Sequence, residues 1–229
     1  MSKLIGIIGA MDIEVDALIS DMTEKSEKII SGIKFVKGKL ENKEVVVAKC
    51  GIGKVFASVC AQTLILEYKP DIILNTGVAG AIKNGMKIFD VAMADRVVQH
   101  DMDTSAIGDP KGFISGIDTI YIDTDKIVLE ALIEASNSLK ITTHIGTVAS
   151  GDKFIASKEE KSLINKEFCA IACEMEGAAI GQICYINKIP FGIVRSISDG
   201  DGAELDYMTF AKEAAQMSIK IVKKFISII

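Results

Sequence analysis

Four acidic side chains stand where chemistry could be done in this 229-residue sequence: Glu14 in "GAMDIEV", Glu174 and Glu176 in "ACEMEGAA", and Asp199 in "RSISDG". Each sits among small or apolar residues, where a core should form. A buried carboxylate without a partner is costly, or its pKa rises until it takes up a proton. Acids kept in such places hold something polar or move protons, and carboxylates in contrasting environments are the pattern of general acid–base work. On a strand, residues two apart face the same side, so Glu174 and Glu176 would converge if "ACEME" stays extended. On a helix they would diverge by about 200°. A helix starting near Gly177 would place both at its positive end, where anions are favoured. Either acid alone is accounted for as a helix N-terminal residue with no chemistry. Acids at three separate strand ends are not, and a catalytic cluster is the reading that covers them. Asp16 and Glu204 read as surface acids beside them.

The elements that must position these acids follow from apolar runs bounded by turn residues. "LIGIIG" (4–9) reads as a buried strand and Met11 to Met22 as a helix. "KEVVVAKC" (43–50) is strand-like, and "GIGK" opens a helix through "VFASVCAQTLILEYK". "DIILNTG" (71–77), "IFDVAMAD", "RVVQHD", "HIGTVASG" (144–151) and "PFGIVRSIS" (190–198) read as strands. Between them, "DTDKIVLEALIEASNSLK" (123–140) is a helix that Asp or Thr can cap, and Ser157 with Glu160 matches a capping box. The chain closes in a long amphipathic helix whose apolar face carries Tyr207, Phe210, Ala214, Met217, Ile221, Phe225 and Ile228. This alternation predicts one α/β domain around a largely parallel sheet covered on both faces. Ligands in such sheets sit beyond the carboxyl ends of strands. "GAMDIE", "GIGK", "NTGVAGAI", "SGDKF" and "RSISDGDG" all fall there.

Other motifs carry less. "GIGK", "GVAGA" and "GDGA" each default to tight turns, and none has the context of a dinucleotide fingerprint or a phosphate-cradling loop. "DGDGAELD" starts like a calcium loop, but Ala203 occupies the next ligand position. "QHDMD" gathers His100, Asp101 and Asp103 without a further histidine or cysteine at ligand spacing, and His144 reads as a core residue. Neither metal nor cofactor is expected.

Composition narrows the class. The chain is 49% apolar and 25% charged, the profile of a soluble globular protein. Net charge is −5, and Arg96 and Arg195 are the only arginines, so a nucleic-acid polymer is not an expected partner. The cysteines Cys50, Cys60, Cys169, Cys173 and Cys184 read as small buried hydrophobes of a reducing compartment. No stretch approaches the roughly 20 apolar residues of a membrane span, and the N-terminal run is too short for a signal peptide. The expected location is the cytoplasm.

"IGIIGAMDIEV", "GIGKV", "NTGVAGAI", "QHDMD", "SGDKFI", "CEMEGAA" and "RSISD" occur in an order and spacing that resemble the 5′-methylthioadenosine/S-adenosylhomocysteine nucleosidases of the purine nucleoside phosphorylase-like superfamily. The resemblance runs from about Leu4 to the C-terminal helix, and "VVQHDMDTSAIGDPKGFI" is similar to the branch that also hydrolyses 6-amino-6-deoxyfutalosine. It implies a single domain over 1–229, three layers deep, with a twisted mixed central sheet between helices. It also implies a homodimer and no cofactor. Asp199 matches the general acid at adenine N7, Glu14 the base that activates water, and Glu176 the acid that grips the ribose hydroxyls. Met175 would pack on the sugar, Arg195 help position the water, Phe154 stack on adenine and Ile155 read its edge through its backbone. Ser198 would orient the acid, while Glu174 is expected to support the strand-to-helix turn. Met11, Ile52, Val78, Ala79 and Gly80 would complete the pocket, with Phe210 closing over its 5′ side. Ile107, Asp109 and Ser115 would come from the partner subunit.

Some positions depart from the pattern. Val78 stands where many relatives carry serine, Asp109 and Ser115 replace residues of the 5′ pocket wall, and "DGDGAELDYMTF" reads as one residue longer than usual before Phe210. Two rivals stay open: a nucleoside phosphorylase, which would need several arginines for phosphate, and a non-catalytic nucleoside-binding protein.

Overall fold

The computed structural model describes residues 3–200 and 203–229. Its elements run β1 (Ile5–Gly9), α1 (Asp12–Asp21), β2 (Thr23–Ile30), β3 (Ile33–Leu40), β4 (Lys43–Lys49), α2 (Lys54–Tyr68), β5 (Ile72–Ala81) and β6 (Val91–Gln99). They continue with β7 (Tyr121–Asp123), α3 (Lys126–Ser138), β8 (Thr143–Ser150), α4 (Lys158–Phe168), β9 (Ala170–Glu174), α5 (Gly177–Asn187), β10 (Phe191–Asp199) and α6 (Ala203–Ile228).

β1 lies between β4 and β5, parallel to both, and β5 is also parallel to β10. All five residues of β1 are buried, as expected of a strand covered on both faces. Beyond β5 the sheet curls on itself: β10 pairs with β6, β6 with β8, β8 with β9, and β9 returns to β5. The pairings β10–β6 and β9–β5 are antiparallel, as are those of β2, β3 and β4 and of β6 with β7. The sheet is therefore mixed rather than largely parallel. The curl brings the ends of β1, β5, β9 and β10 into one neighbourhood.

Helices cover both faces. On one side α2 and α5 supply Cys60, Leu64, Ile180 and Cys184 to a core with Ile8, Ile73 and Ile193. On the other, α1, α3 and α6 supply Leu18, Leu132, Val222 and Phe225 to a core with Ile7, Leu74 and Val194. α4 packs Ile164 and Phe168 against Val98, Ala149 and Ala170. The caps are local and legible: the Asp125 side chain accepts from the Val128 amide, and Ser157 from the Glu160 amide.

Several expectations need correction. "IFDVAMAD" and "RVVQHD" form one strand, β6, which begins at Val91 and carries an irregularity between Ala94 and Arg96. The hairpin of β2 and β3 was not expected; β2 is exposed along almost all its length and lacks an apolar face. Cys169 is exposed, because it ends α4 in a left-handed conformation at φ 51. His144 is half-buried with Nε2 3.0 Å from the Asp90 carboxylate. Asp201 and Gly202 of the calcium-like stretch lie outside the described residues, as does the extra length expected there.

Candidate active site

A cavity of about 410 Å³ opens where β1, β5, β9 and β10 end, and Glu14, Glu174, Glu176 and Asp199 all line it. Glu14 is in the first turn of α1, 1% exposed. Its Oε2 accepts from the amides of Ala10 at 2.7 Å and Met11 at 3.0 Å, and its Oε1 from the amide of Val78 at 3.0 Å. Three backbone donors aim one carboxylate into the cavity and fix it there. Burial pushes its pKa up, and Arg195 and these amides oppose the shift.

β9 stops at Glu174, the chain turns through Met175 and Glu176, and α5 starts at Gly177. The two acids therefore do not share a strand face, as continued extension would have required. Glu174 accepts from the amides of Glu176 at 3.1 Å and Gly177 at 2.8 Å and is bonded to Ser150 and Arg195. It caps the turn. Glu176 accepts from the Gly53 amide at 2.8 Å, and its Oε2 is 3.7 Å from Arg195. Burial, with Glu174 second, pushes the Glu176 pKa up to about 7.

Arg195 is fully buried beneath these acids rather than on the cavity wall, and Asn75 anchors its guanidinium. Asn75 is itself held by the Ile8 carbonyl at 2.9 Å. Gly77 makes the approach possible: a Cβ there would overlap both the Arg195 guanidinium and the Glu14 carboxylate. At the other end, Asp199 closes β10 with Oδ1 accepting from Ser198 Oγ at 3.0 Å and Oδ2 accepting from Lys161 Nζ at 3.0 Å. Burial raises its pKa, against the pull of Lys161 and Ser198. Gly80 leaves the carboxylate room, since a Cβ there would lie 2.8 Å from Oδ2.

The remaining wall is apolar. β5 contributes Val78, Ala79 and Gly80, the turn after β1 contributes Met11, and Met175 lies between the acids. Phe154 and Ile155 come from the segment after β8, with Ile52 from the loop before α2, and Ser198 adjoins Asp199. Phe210 is not on this wall. It stacks edge-on against Phe89, with centroids 5.8 Å apart, because α6 turns it inward. Tyr207 and Met208, about one turn earlier, line the cavity instead, and Tyr207 meets Phe154 at 5.4 Å. Ile107, Asp109 and Ser115 lie apart from the cavity of this chain; Ile107 is 82% exposed, and Asp109 accepts from Thr104 Oγ1 at 2.8 Å.

Sequence reasoning missed Asn75, Gly77, Ser150 and Lys161. For Lys161 the signal was a lysine on the apolar stripe of α4; Asn75, Gly77 and Ser150 lie in the strand-end stretches "NTGVAGAI" and "SGDKF", and the local pattern did not single them out within those stretches. Among the described residues, no group of three or more histidine, cysteine or acidic side chains is arranged to hold a metal ion. No helix among them is long and apolar enough to cross a membrane.

The model of the phosphorylase superfamily matches residues 4–227. The chain is 39% identical over 227 residues to a 5′-methylthioadenosine/S-adenosylhomocysteine nucleosidase of Staphylococcus aureus, covering 98% of this chain and 99% of the relative. Among solved structures, the corresponding nucleosidase of Neisseria meningitidis in complex with methylthio-immucillin-A superposes with a TM-score of 0.96. That pair is 33% identical, with 99% of this chain and 100% of that one covered. The futalosine hydrolase of Helicobacter pylori strain 26695 superposes with a TM-score of 0.95 at 36% identity, covering 100% and 99%.

Proposed function

The chain belongs to the phosphorylase superfamily and, within it, to the 5′-methylthioadenosine/S-adenosylhomocysteine nucleosidases, and on that premise we propose how its own residues cleave a purine nucleoside. It is a purine nucleosidase that hydrolyses the N-glycosidic bond of 5′-methylthioadenosine, S-adenosylhomocysteine and related adenosine derivatives. The observation that carries this reading is the meeting of Glu14, Glu176 and Asp199, from distant stretches of chain, on one cavity. Asp199 gives its proton to purine N7, which turns adenine into a better leaving group. The bond from C1′ to N9 breaks as positive charge develops on the sugar, and Glu176 holds the ribose hydroxyls and favours that charge. Glu14 takes a proton from the water that adds to C1′. The products are adenine and the 5′-substituted ribose. Phe154 provides the face for the base, and Arg195 holds Glu174 and Glu176 in place from below.

The phosphorylase alternative needs cations for a phosphate dianion. Arg195 is tied to acids, and Arg96 lies over the Tyr121 ring at 4.2 Å with its Nε donating to Thr147, away from the cavity. Adenine release from 5′-methylthioadenosine, with and without phosphate, tests the proposal. Free 5-methylthioribose in both cases supports it; a sugar 1-phosphate formed only with phosphate favours the phosphorylase, and no release at all favours a binding protein. 6-Amino-6-deoxyfutalosine belongs in the same comparison, because the Helicobacter neighbour is a futalosine hydrolase.

We take residues 1–229 as one nucleosidase unit acting as a homodimer in the cytoplasm. Ile52, Val55, Phe56 and Val59 form an exposed apolar stripe along and before α2, and Tyr185 and Ile186 extend it onto α5. Such a stripe is the kind of surface that a second copy would cover. Phe56→Glu is expected to shift the protein from dimer to monomer in sedimentation velocity; a monomeric native protein removes the proposal. Five free cysteines, four of them buried, fit a reducing compartment. Recovery of the native protein outside the soluble cell fraction counts against that location.

The raised pKa of Glu176 has a thermodynamic consequence. Between its ordinary value of 4.5 and about 7, the native state keeps a proton that the unfolded chain has released. Stability is therefore withdrawn as pH rises through that window. Glu176→Gln removes the effect, so the melting temperature of the variant relative to native protein is expected to climb from pH 4.5 to pH 7. A difference that stays constant across the window would show that Glu176 does not titrate there.

A further inference from the structure

Lys161 occupies a position where α4 is otherwise apolar, since the other buried side chains of that helix are Ile164 and Phe168. Its side chain is 6% exposed. Burying an ammonium costs several kcal/mol unless its geometry and hydrogen bonds are good. Here Nζ donates to Asp199 Oδ2 at 3.0 Å and to the Gly200 carbonyl at 2.6 Å. Ser198 holds the other carboxylate oxygen at 3.0 Å, so both ends of Asp199 are fixed. Lys161 is not on the cavity wall, whereas Asp199 is.

We propose that Lys161 is a positioning residue for the hydrolysis: acting through Asp199, it fixes the carboxylate at the purine end of the cavity and governs how firmly that acid keeps its proton. The inference rests on the nucleosidase reading above. A buried acid without a nearby cation holds its proton too tightly to pass it to a weakly basic ring nitrogen. A contacting ammonium favours the carboxylate and brings the two proton affinities closer, which is where general-acid transfer is efficient. The groups that face Asp199 come from every neighbouring element. Ser198 and Lys161 favour its charge, Asp206 on α6 opposes it, and Tyr207 on α6 and Cys173 on β9 adjoin it. Among the described residues, Lys161 makes the direct cationic contact to Asp199, at 3.0 Å.

The test is the pH profile of kcat/KM for 5′-methylthioadenosine hydrolysis by the native protein, Lys161→Met and Lys161→Arg. With the Met variant, the pH at which activity falls on the alkaline side is expected to move up by roughly 1–3 units, the usual effect of removing an opposite charge beside a carboxyl. KM should stay near the native value, because Lys161 does not line the cavity. The Arg variant keeps the charge and should keep the native limb. If Lys161→Met does not fold, Lys161→Gln reads the same limb while still donating to the Gly200 carbonyl. Activity that drops equally at every pH, with the limb unmoved, overturns the inference alone. A native protein that releases no adenine overturns the nucleosidase reading and this inference with it.

Discussion

Asp199→Asn is expected to lower the turnover of 5′-methylthioadenosine by about 10²–10⁴-fold, the usual worth of a general acid. Asparagine has nearly the same shape, but its one amide oxygen can accept from only one of Lys161 and Ser198, which contact the two carboxylate oxygens at 3.0 Å each. With the oxygen on Lys161, the Ser198 hydroxyl can turn to accept from the amide NH2. What it lacks is a transferable proton, so the leaving purine departs unprotonated. The loss should fall on kcat, with little change in KM, because the amide can still hydrogen-bond the base. The substitution also leaves Lys161 without its counter-charge in a site where its side chain is 6% exposed, and some stability should be lost with it. Single-turnover assays separate chemistry from product release. A kcat within tenfold of native would remove Asp199 as the proton donor.

Glu14→Gln is expected to produce a loss of similar size, about 10²–10⁴-fold in kcat, through the loss of the base that takes a proton from water. This variant differs from the first in its structural cost. Glu14 accepts three backbone amides through its two oxygens. Glutamine offers one acceptor oxygen and turns a donor toward the remaining amide, so at least one buried N–H loses its partner, at a cost of about 1–3 kcal/mol. A lower melting temperature should therefore accompany the lost activity. Binding of a non-hydrolysable adenosine analogue distinguishes the two effects: affinity near native with turnover abolished is the expected pair of results. Turnover preserved, in a variant shown to be folded, would take the base role away from Glu14.

Local pattern alone was enough for most of the secondary structure. The fully apolar run at Ile5–Gly9, the caps at Asp125 and Ser157 and the 26-residue amphipathic helix at the end of the chain depend on near neighbours, and near neighbours are written in the sequence. The acids were legible for the same reason: a carboxylate inside an apolar run stands out against its surroundings. The hairpin partner β2 was not, because its alternation of charged residues gives no apolar face to recognise.

What only the tertiary structure decided is which groups meet. The curl of the sheet through β10, β6, β8, β9 and back to β5 brings Glu14, Glu176 and Asp199 around one cavity, and that closure depends on pairings between residues far apart in the chain. It also put Tyr207 rather than Phe210 on the cavity wall, since the rotation of α6 is set by what it packs on. Lys161 shows the limit most clearly. In the sequence it is a lysine on the apolar stripe of α4, and only the docking of that helix on β8 and β9 brings it to Asp199 as a buried partner. Residue types declare what chemistry is available; distances, which no local pattern encodes, determine what each group does with it.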